Sequence, residues 1–366
     1  MKAPSSQKLV SLVRQEIAAI AGYVPGEQPQ DTGWTKLNTN ENPYSPSASV
    51  VSAITAACEG RLLAKYPDPF ANQFRAQAAE VLGVDPRMIL CGNGSDDLLT
   101  ILVRCFVGAG DAMRVPTPSY ILYQTLADIQ GVSCDKVAFT DDWLLPPAFA
   151  NPCTDNGQPV KLAIVPNPNS PSGTLLPPEQ LLDLAEQLSC PLVVDEAYGD
   201  FSDTNCLDLV RQSERIIVTR SMSKSYALAG IRFGFAVAQP GVIEQLGKVK
   251  DSYNCDAIAT AAATAAFADQ DWLRKNQSCI RATRTRMSNE LRRFGFSVID
   301  SQANFVWCTH PDRSHREIYE SLKKKHILIR YMAYQGWGDG LRVTVGTDAE
   351  IDVLLTALGR ILKEEK

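Results

Sequence analysis

The sequence predicts an α/β fold in which helices flank a mostly parallel sheet, joined to a smaller α+β domain. Between residues 88 and 240, short apolar runs alternate with stretches of helical periodicity, as in strand–helix–strand units. Turns rich in glycine, proline and serine follow several of these runs. After residue 268 the order of elements changes to an α+β pattern. We therefore expect an N-terminal arm over 1–45, a large domain over 46–268 and a small domain over 269–366, which the arm completes.

The individual strands are predicted from short apolar runs, and the individual helices from apolar residues at helical spacing. In the arm, residues 5–20 predict an amphipathic helix, and residues 37–44 form a polar cluster whose amides suit either a ligand or a set of turns. In the large domain, the predicted strands are 88–91, 111–115, 131–139, 161–165, 192–194, 216–218 and 233–237, and the predicted helices are 50–58, 70–82, 98–106, 179–188 and 240–268. In the small domain, the predicted helices are 269–293, 316–325 and 348–364, and the predicted strands are 296–298, 305–307, 328–330 and 341–346.

Composition narrows the classes of function. The 366 residues carry a net charge of −5, which argues against a nucleic-acid-binding surface. No apolar run is long enough to span a membrane, and the first twenty residues lack the apolar core of a signal peptide. The ten cysteines form no Cys-x-x-Cys pair, so we expect free thiols and a cytoplasmic location. The three histidines have no metal-ligand spacing, so no metal site is expected.

One lysine stands out by its surroundings. Lys224 lies in a hydroxyl-rich turn between two apolar runs, and an amine held in an apolar site loses its charge and attacks carbonyls. Ser221, Ser223 and Arg232 supply hydroxyls and a cation that suit a phosphate. A lysine that forms an imine beside a phosphate seat is what pyridoxal phosphate requires. A surface lysine in a serine-rich loop fits this stretch about as well.

A second phosphate seat is predicted near residue 95. A short apolar strand runs into Gly94, Ser95 and Asp96, and an apolar helix follows. Backbone N–H groups and the helix dipole at such a turn attract phosphate. Asp96 also has a simpler interpretation as the cap of that helix.

Three further side chains suit the ring of the cofactor. Asp195 follows a buried strand and suits a protonated pyridine nitrogen, with a helix cap or salt bridge as the alternative. Tyr198 and Asn169 suit the ring oxygen, although Asn169 also fits a plain turn. Tyr120 suits stacking on the ring, or simple burial in the core. Lys224 would then also act as the general base for the α-proton.

These candidates share one position in the predicted sheet. Ser95, Tyr120, Asn169, Asp195 and Ser221 each follow a strand. In parallel sheets the ligand lies beyond the carboxyl ends of the strands. We therefore expect these residues to converge on one site.

Two arginines lie in apolar strands of the small domain. An arginine on a buried strand needs an anionic partner. Arg342 suits a substrate carboxylate and Arg330 a second anion such as a phosphate, with internal ion pairs as the alternative.

Taken together, the motifs resemble the class I/II aminotransferases, pyridoxal-phosphate enzymes of fold type I. The resemblance covers nearly the whole chain in family order, over residues 37–44, 65–68, 92–96, 167–173, 194–198, 221–232 and 342–347. It implies a seven-stranded sheet, an imine at Lys224, ring contacts from Asp195 and Tyr198, and a carboxylate contact from Arg342. It also implies phosphate contacts from Ser95, Asp96, Ser221, Ser223 and Arg232.

The resemblance further implies a homodimer in which Tyr66 reaches the phosphate in the neighbouring subunit. The substrate end would involve Tyr23, Asn38 and Arg330. One position departs from the family pattern: Ser170 stands where the family usually has asparagine before the Pro-x-Gly turn, so the ring-oxygen contact falls to Asn169 or Asn167.

The reaction expected from the resemblance is transamination of histidinol phosphate, a small-molecule amino donor, with 2-oxoglutarate as the 2-oxo acid acceptor. Alternatives within the family are transamination of aromatic amino acids and decarboxylation of threonine phosphate. An alternative from another class is a non-catalytic domain that binds a nucleotide at the turn over residues 92–96.

Overall fold

Over the described residues the backbone forms three sheets, the α-helices named below and four short 3-10 helices. A computed structural model of the chain describes residues 10–22, 25–59 and 62–364. The strands are β1 (Thr35–Lys36), β2 (Ile89–Gly92), β3 (Ala112–Thr117), β4 (Ser133–Ala138), β5 (Val160–Pro166), β6 (Leu192–Asp195), β7 (Ile216–Ser221), β8 (Gly234–Val237), β9 (Ser297–Val298), β10 (Phe305–Thr309), β11 (Ile327–Leu328), β12 (Arg330–Tyr334) and β13 (Gly338–Thr344). The α-helices in the same ranges are α1 (Gln15–Ala19), α2 (Ala48–Cys58), α3 (Asn72–Leu82), α4 (Ser95–Phe106), α5 (Leu122–Gln130), α6 (Pro178–Gln187), α7 (Leu209–Gln212), α8 (Pro240–Val249), α9 (Ala257–Ala268), α10 (Gln270–Arg293), α11 (His315–Lys323) and α12 (Asp348–Glu364).

The main sheet has seven strands in the order β2-β8-β7-β6-β5-β3-β4. Only β8 runs antiparallel to its neighbours, while β7, β6, β5, β3 and β4 pair in parallel. The central strands β6 and β7 are buried along their whole length, as expected of strands covered by helices on both faces. The predicted mostly parallel, seven-stranded sheet is confirmed.

Each face of this sheet carries its own apolar layer. On one face, Leu99 and Leu102 of α4 pack with Ile164 and Val193 of the sheet. On the other, a larger cluster centres on phenylalanines that pack edge to face, such as Phe74 against Phe233 with ring centroids 4.7 Å apart. These layers fix the strands, and therefore the loops at their carboxyl ends.

The C-terminal part has a separate core. Its four-stranded antiparallel sheet has the order β12-β13-β10-β9, and α10, α11 and α12 pack on it. β1 pairs in parallel with β11, and Leu37 is buried in this core. The arm thus contributes a strand to the C-terminal part, while the domain boundaries at residues 45 and 268 stay predictions.

Two predicted helices differ from the structure. The helix predicted over 5–20 is described only as α1, with residues 1–9 outside the described ranges. The helix predicted over 240–268 is interrupted between α8 and α9. Asp256 caps α9 by accepting from the N–H of Ala259, and the intervening Asp, Ser and Asn residues favour turns over helix. No helix within the described residues is long and apolar enough to cross a bilayer.

Candidate active site

A cavity of about 270 Å³ lies beyond the carboxyl ends of the parallel strands β3, β5, β6 and β7. Most of the predicted site residues converge on its wall: Asn38, Ser95, Asp96, Tyr120, Asp195, Tyr198, Ser221, Ser223, Lys224, Arg232, Arg330 and Arg342. The arm contributes Pro25, Gly26 and Gln28 to the same wall. The cavity therefore lies between the main sheet, the arm and the C-terminal sheet.

The amine of Lys224 is held inside this cavity. Its Nζ donates to the carbonyl oxygen of Thr39 at 3.0 Å. The backbone carbonyl of Lys224 accepts from Nδ2 of Asn42 at 2.8 Å, which fixes the turn that carries the lysine. Burial, followed by the nearby charge of Arg342, lowers the pKa of Lys224 to about 8. The amine is thus neutral in a useful fraction of molecules near neutral pH, as a nucleophile or a base requires.

The predicted anion seat forms where the start of α4 meets the turn after β7. Ser95 is the first residue of the twelve-residue helix α4, so backbone N–H groups point into the cavity edge. Arg232 donates to Oγ of Ser223 at 3.2 Å and lies 3.5 Å from a carboxylate oxygen of Asp96. Hydroxyls, helix N–H groups and one guanidinium make a donor set suited to a phosphate.

Two glycines leave the space that this seat needs. Gly94 has φ +80°, and a Cβ there would lie 2.6 Å from Nη2 of Arg232. A Cβ on Gly234 would lie 2.7 Å from the carbonyl oxygen of Arg220 and 2.9 Å from the backbone nitrogen of Ser95. Gly94 is outside the cavity wall, so its role is to admit the guanidinium beside the helix terminus.

Asp195 ends β6 and faces the cavity as a buried carboxylate. It accepts from Tyr123 Oη at 2.8 Å, from the N–H of Ala197 at 3.2 Å and from Oγ1 of Thr219 at 3.3 Å. Within the described residues it has no cationic partner. Burial, together with the nearby charge of Asp96, raises its pKa to about 6 even though these hydrogen bonds favour the charged form. This carboxylate has room for a cation inside the cavity.

Tyr123 is a cavity residue that sequence reasoning missed, and it donates to Asp195. Its side chain is fully buried, and it also lines the cavity. The apolar pattern of α5 made it resemble an ordinary core residue, and only its three-residue spacing from Tyr120 hinted that both tyrosines share a face. Tyr120 itself lines the cavity and packs edge to face on Tyr123, with centroids 5.6 Å apart.

Tyr198 is oriented by the arm. Its hydroxyl accepts from Nδ2 of Asn40 at 2.9 Å, and its ring packs edge to face on Phe305. Asn40 was not singled out from the sequence, although it lies in the polar cluster over 37–44. Its φ of +57° is a conformation that asparagine tolerates better than most residues.

Asn169 lies outside the wall of this cavity, and its contact with the ring oxygen stays a prediction. Its Nδ2 donates to the carbonyl of Pro118 and to Oγ of Ser172, away from the cavity. The amide of Asn167 is likewise used, by the carbonyl of Leu176. Ser170 is the residue of this turn, between the two asparagines and Gly173, whose side chain lines the cavity. The turn therefore presents a hydroxyl to the cavity in place of an amide.

Arg342 is held rigidly at the cavity wall. Nη1 donates to Oγ of Ser170 at 2.9 Å, Nη2 donates to the carbonyl of Asn38 at 3.1 Å, and the guanidinium lies 5.3 Å from the centre of the Phe305 ring. Its Nε is buried without a hydrogen-bond partner among the described residues.

Arg330 lies directly opposite Arg342 in the β12–β13 ladder. Residues paired in this way project from the same face, so two cations lie side by side. In residues 10–22, 25–59 and 62–364 neither arginine has a carboxylate partner in an ion pair. Like charges facing each other destabilise a sheet unless an anion lies between them.

Of three further predicted residues, Asn38 lies on the cavity wall, Tyr66 lies outside it, and Tyr23 is not among the described residues. The amide of Asn38 donates to the carbonyl of Glu27 at 2.8 Å, so this amide holds the arm in place. Tyr66 is 81% exposed and lies outside the cavity wall, stacked on Tyr253. Tyr23 falls outside the described residues.

Comparison with known proteins gives this geometry a family. The model described as "Aminotransferase class I and II" matches residues 32–358, most of the chain. The chain belongs to the class I and II aminotransferase family. The predicted resemblance is therefore confirmed, and the enzyme class follows with it.

Relatives of this aminotransferase cover nearly its whole length. A histidinol-phosphate aminotransferase from Rhodopirellula baltica is 55% identical over 351 residues, 96% of each chain. The histidinol-phosphate aminotransferase of Geobacter sulfurreducens is 44% identical and covers 95% of this chain and 99% of that protein. Among solved structures, the histidinol-phosphate aminotransferase of Sinorhizobium meliloti in complex with pyridoxal-5'-phosphate superposes with a TM-score of 0.81 at 27% identity, covering 90% of this chain and 91% of that one.

Proposed function

We propose that this aminotransferase uses pyridoxal phosphate to transfer the amino group of histidinol phosphate to 2-oxoglutarate. The names of its relatives at 44–55% identity support this substrate. The observation that carries the proposal is the pair of opposed arginines, Arg330 and Arg342, at the cavity wall. A phosphate monoester near neutral pH carries close to two negative charges, which matches two adjacent guanidinium groups.

The residues present fit pyridoxal phosphate. The donor set at Ser95, Ser221, Ser223 and Arg232 suits its phosphate group, as the carboxylate of Asp195 suits its ring nitrogen. Lys224 supplies the amine that its aldehyde requires, on the same cavity wall. When bound, the cofactor supplies an electron sink for negative charge at the substrate α-carbon.

The chain's own residues transfer the proton, bind the substrate anion, contact the cofactor ring and limit access of water. Lys224, with its pKa lowered to about 8, accepts a proton from the substrate α-carbon at Nζ and returns it one step later. Arg342 holds the substrate anion through a guanidinium already fixed by Ser170 and the carbonyl of Asn38. Tyr198, oriented by Asn40, would offer its hydroxyl to the ring oxygen of the bound cofactor. The arm over residues 25–28 covers one side of the cavity and limits its access to water.

The proposed substrate is tested by the reaction itself. Purified protein loaded with pyridoxal phosphate is incubated with histidinol phosphate and 2-oxoglutarate, and glutamate is measured. We expect histidinol phosphate to exceed phenylalanine, tyrosine and threonine phosphate as the donor in kcat/KM by at least tenfold. Preferred turnover of an aromatic amino acid, or release of carbon dioxide from threonine phosphate, would instead support one of the alternative activities.

Arg330→Ala is expected to weaken the phosphorylated donor selectively. A charge-assisted hydrogen bond is worth about 1.5–3 kcal/mol, so kcat/KM for histidinol phosphate should fall roughly 10- to 150-fold. A plain aromatic amino acid carries a singly charged carboxylate in place of the doubly charged phosphate and should lose less than threefold. The exposed Arg360→Ala, on α12, is the control for loss of a positive charge. Equal losses for both donors would remove the phosphate assignment from Arg330.

We also propose that the protein is a homodimer with shared active sites. Four large apolar side chains that are close in sequence are exposed: Leu62, Leu63, Tyr66 and Phe70. Tyr253, which stacks on Tyr66, is exposed as well. The stacked pair Tyr66 and Tyr253, with centroids 4.5 Å apart, presents aromatic surface to solvent. A second copy of the chain is the partner that would cover this surface and receive the Tyr66 hydroxyl at its own phosphate seat.

A hybrid experiment tests the shared site. Tyr66→Phe and Lys224→Ala subunits are each expected to have low activity alone. In a mixed dimer, one site receives the native lysine from one subunit and the native tyrosine from the other, so mixing should restore activity toward half the native value. Absence of any gain on mixing, or sedimentation at the single-chain mass of 40.0 kDa, would contradict the proposal.

A cytoplasmic location is part of the same proposal. It is supported by the ten cysteines, all within the described part of the chain and all free thiols there.

A further inference from the structure

Three side chains that the roles above do not fully use surround the peptide that holds the Lys224 amine. Nζ of Lys224 donates to the carbonyl oxygen of Thr39. The hydroxyl of the same threonine accepts from Nζ of Lys36 at 2.6 Å and donates to Oε2 of Glu41 at 2.9 Å. Lys36 and Glu41 also form an ion pair with each other. Thr39 therefore lies between this ion pair and the amine.

The loop around Thr39 is fixed at both of its flanks. The N–H of Asn40 donates to Oγ1 of Thr344 at 3.0 Å, which attaches the loop to the C-terminal sheet. Asn42 donates to the carbonyl of Lys224, which attaches the loop to the lysine turn. Lys36 lies in β1, whose pairing with β11 fixes the start of the loop. The peptide between Thr39 and Asn40 is thus held at its N–H by Thr344, while the Thr39 hydroxyl is held by the ion pair of Lys36 and Glu41.

We propose that Lys36 and Glu41 are positioning residues for Lys224. They fix Thr39 so that its carbonyl oxygen holds the free amine between proton transfers, and the carboxylate of Glu41 balances the positive charges around that amine. This inference rests on the proposed transaminase function, in which the amine of Lys224 must be free while the substrate reacts.

The charges around the amine agree with this role. Burial and the cations Arg342 and Arg232 lower the pKa of Lys224, while Glu41 and Asp96 raise it. The other titratable groups of the same wall are Tyr120, Tyr123, Asp195, Tyr198 and Arg330. Burial acts to raise the pKa of Glu41, but its bonds to Lys36 and Thr39 outweigh that effect and hold the pKa below its ordinary value. Glu41 is thus ionised at neutral pH, although its side chain is 41% exposed.

The substitution Glu41→Gln removes the negative charge of the side chain and nearly preserves its shape. Glutamine keeps an oxygen for Thr39 and Lys36 but removes the negative charge, so the cation of Lys36 is left uncompensated near the amine. The pKa of Lys224 should fall by about half a unit or more, because an unbalanced like charge disfavours the protonated amine. Lys36→Met removes the opposite charge and should shift the pKa of Lys224 upward. The double variant should return it close to the native value.

The readout does not depend on turnover. In the full-length chain without cofactor, acetylation of Lys224 by limiting acetic anhydride is followed against pH, with the peptide quantified by mass spectrometry. With cofactor and substrates, we expect Glu41→Gln to lower kcat about tenfold and to leave both KM values within twofold, since the substrate contacts are intact. Glu290→Gln, which removes a carboxylate paired with Arg293 on α10, is the matched control.

Two results would overturn the inference. One is a Lys224 titration in Glu41→Gln that equals that of the native chain or of Glu290→Gln. The other is a pair of single variants whose shifts have the same sign and add in the double variant, as general loosening of the loop would give. The titration uses no amino donor, so it is independent of whether histidinol phosphate is the substrate.

Discussion

Lys224→Ala is expected to abolish transamination, with kcat falling by a factor of roughly 10³ or more. The substitution removes both the amine that bonds to the cofactor and the base that moves the α-proton, and base catalysis alone contributes about 10² to 10⁴. The cavity around residue 224 is otherwise unchanged, because the backbone of the turn is held by Asn42. Glutamate formation from histidinol phosphate and 2-oxoglutarate measures the loss.

Covalent attachment gives an independent check on this result. Native protein loaded with pyridoxal phosphate and treated with borohydride should carry the cofactor on the peptide that contains residue 224, and the Lys224→Ala protein should carry none. Lys275→Ala, at an exposed position of α10, is the control and should retain both label and activity. Label on any other peptide of the native protein would remove Lys224 from its assigned role.

Asp195→Asn is expected to lower kcat/KM roughly 10- to 100-fold. The charged carboxylate would hold the protonated ring nitrogen through a charge-assisted bond of about 1.5–3 kcal/mol, and an amide supplies no charge. The pKa of Asp195 is raised to about 6 before any cation is bound. Cofactor affinity of the native protein should therefore weaken as pH falls through about 6, because protonation removes the same charge. The asparagine variant should lack this pH dependence.

Although Asp195→Asn should lower activity, it should stabilise the folded protein when no cofactor is bound. Burial raises the pKa of Asp195 from 3.8 in the unfolded chain to about 6, so the folded chain binds this proton more tightly. The free energy of unfolding then decreases as pH rises from about 4 to 6 and stays lower above that range. Asparagine removes this cost, and the gain at pH 8 should reach up to about 3 kcal/mol, since one pKa unit corresponds to roughly 1.4 kcal/mol.

Thermal denaturation of the cofactor-free proteins at pH 4 and pH 8 measures that difference. The advantage of Asp195→Asn over the native chain should be present at pH 8 and nearly absent at pH 4. Asp208→Asn, with a side chain 79% exposed, should show no such difference. A variant less stable than the native protein at pH 8 would mean that the buried carboxylate already has a compensating partner.

Local sequence was enough to predict the main sheet and most of the cavity wall. Residues such as Asp195 and Ser221 end strands in which every residue is buried, and parallel strands bring their carboxyl ends together. An amine between two apolar strands is unusual, but the turn around Lys224 also fitted a surface lysine. The other candidates at the strand ends and the family resemblance were needed to favour the imine lysine.

Contacts between segments that are distant in the sequence could not be predicted from local patterns. Asn40 reaches Tyr198 across 158 residues, and Tyr123 reaches Asp195 across 72, so neither partner follows from local periodicity. Asn169 was assigned to the ring from its motif, but the turn directs its amide toward Ser172, and only the three-dimensional course of that turn reveals it. The break between α8 and α9 was missed because the alanine-rich sequence of α9 dominates the helical pattern.

If Arg330 and Arg342 bind the substrate anion as proposed, their opposed placement makes anion recognition depend on a turn that lies outside the cavity wall. The two residues meet only because β12 and β13 are joined by a tight connection through Gly336 and Gly338, both with positive φ. Inserting or deleting a single residue there would shift the alignment of the strands and turn one arginine toward the opposite face. The length of a loop outside the cavity wall would therefore determine whether both arginines face the cavity, and so which anions the enzyme binds.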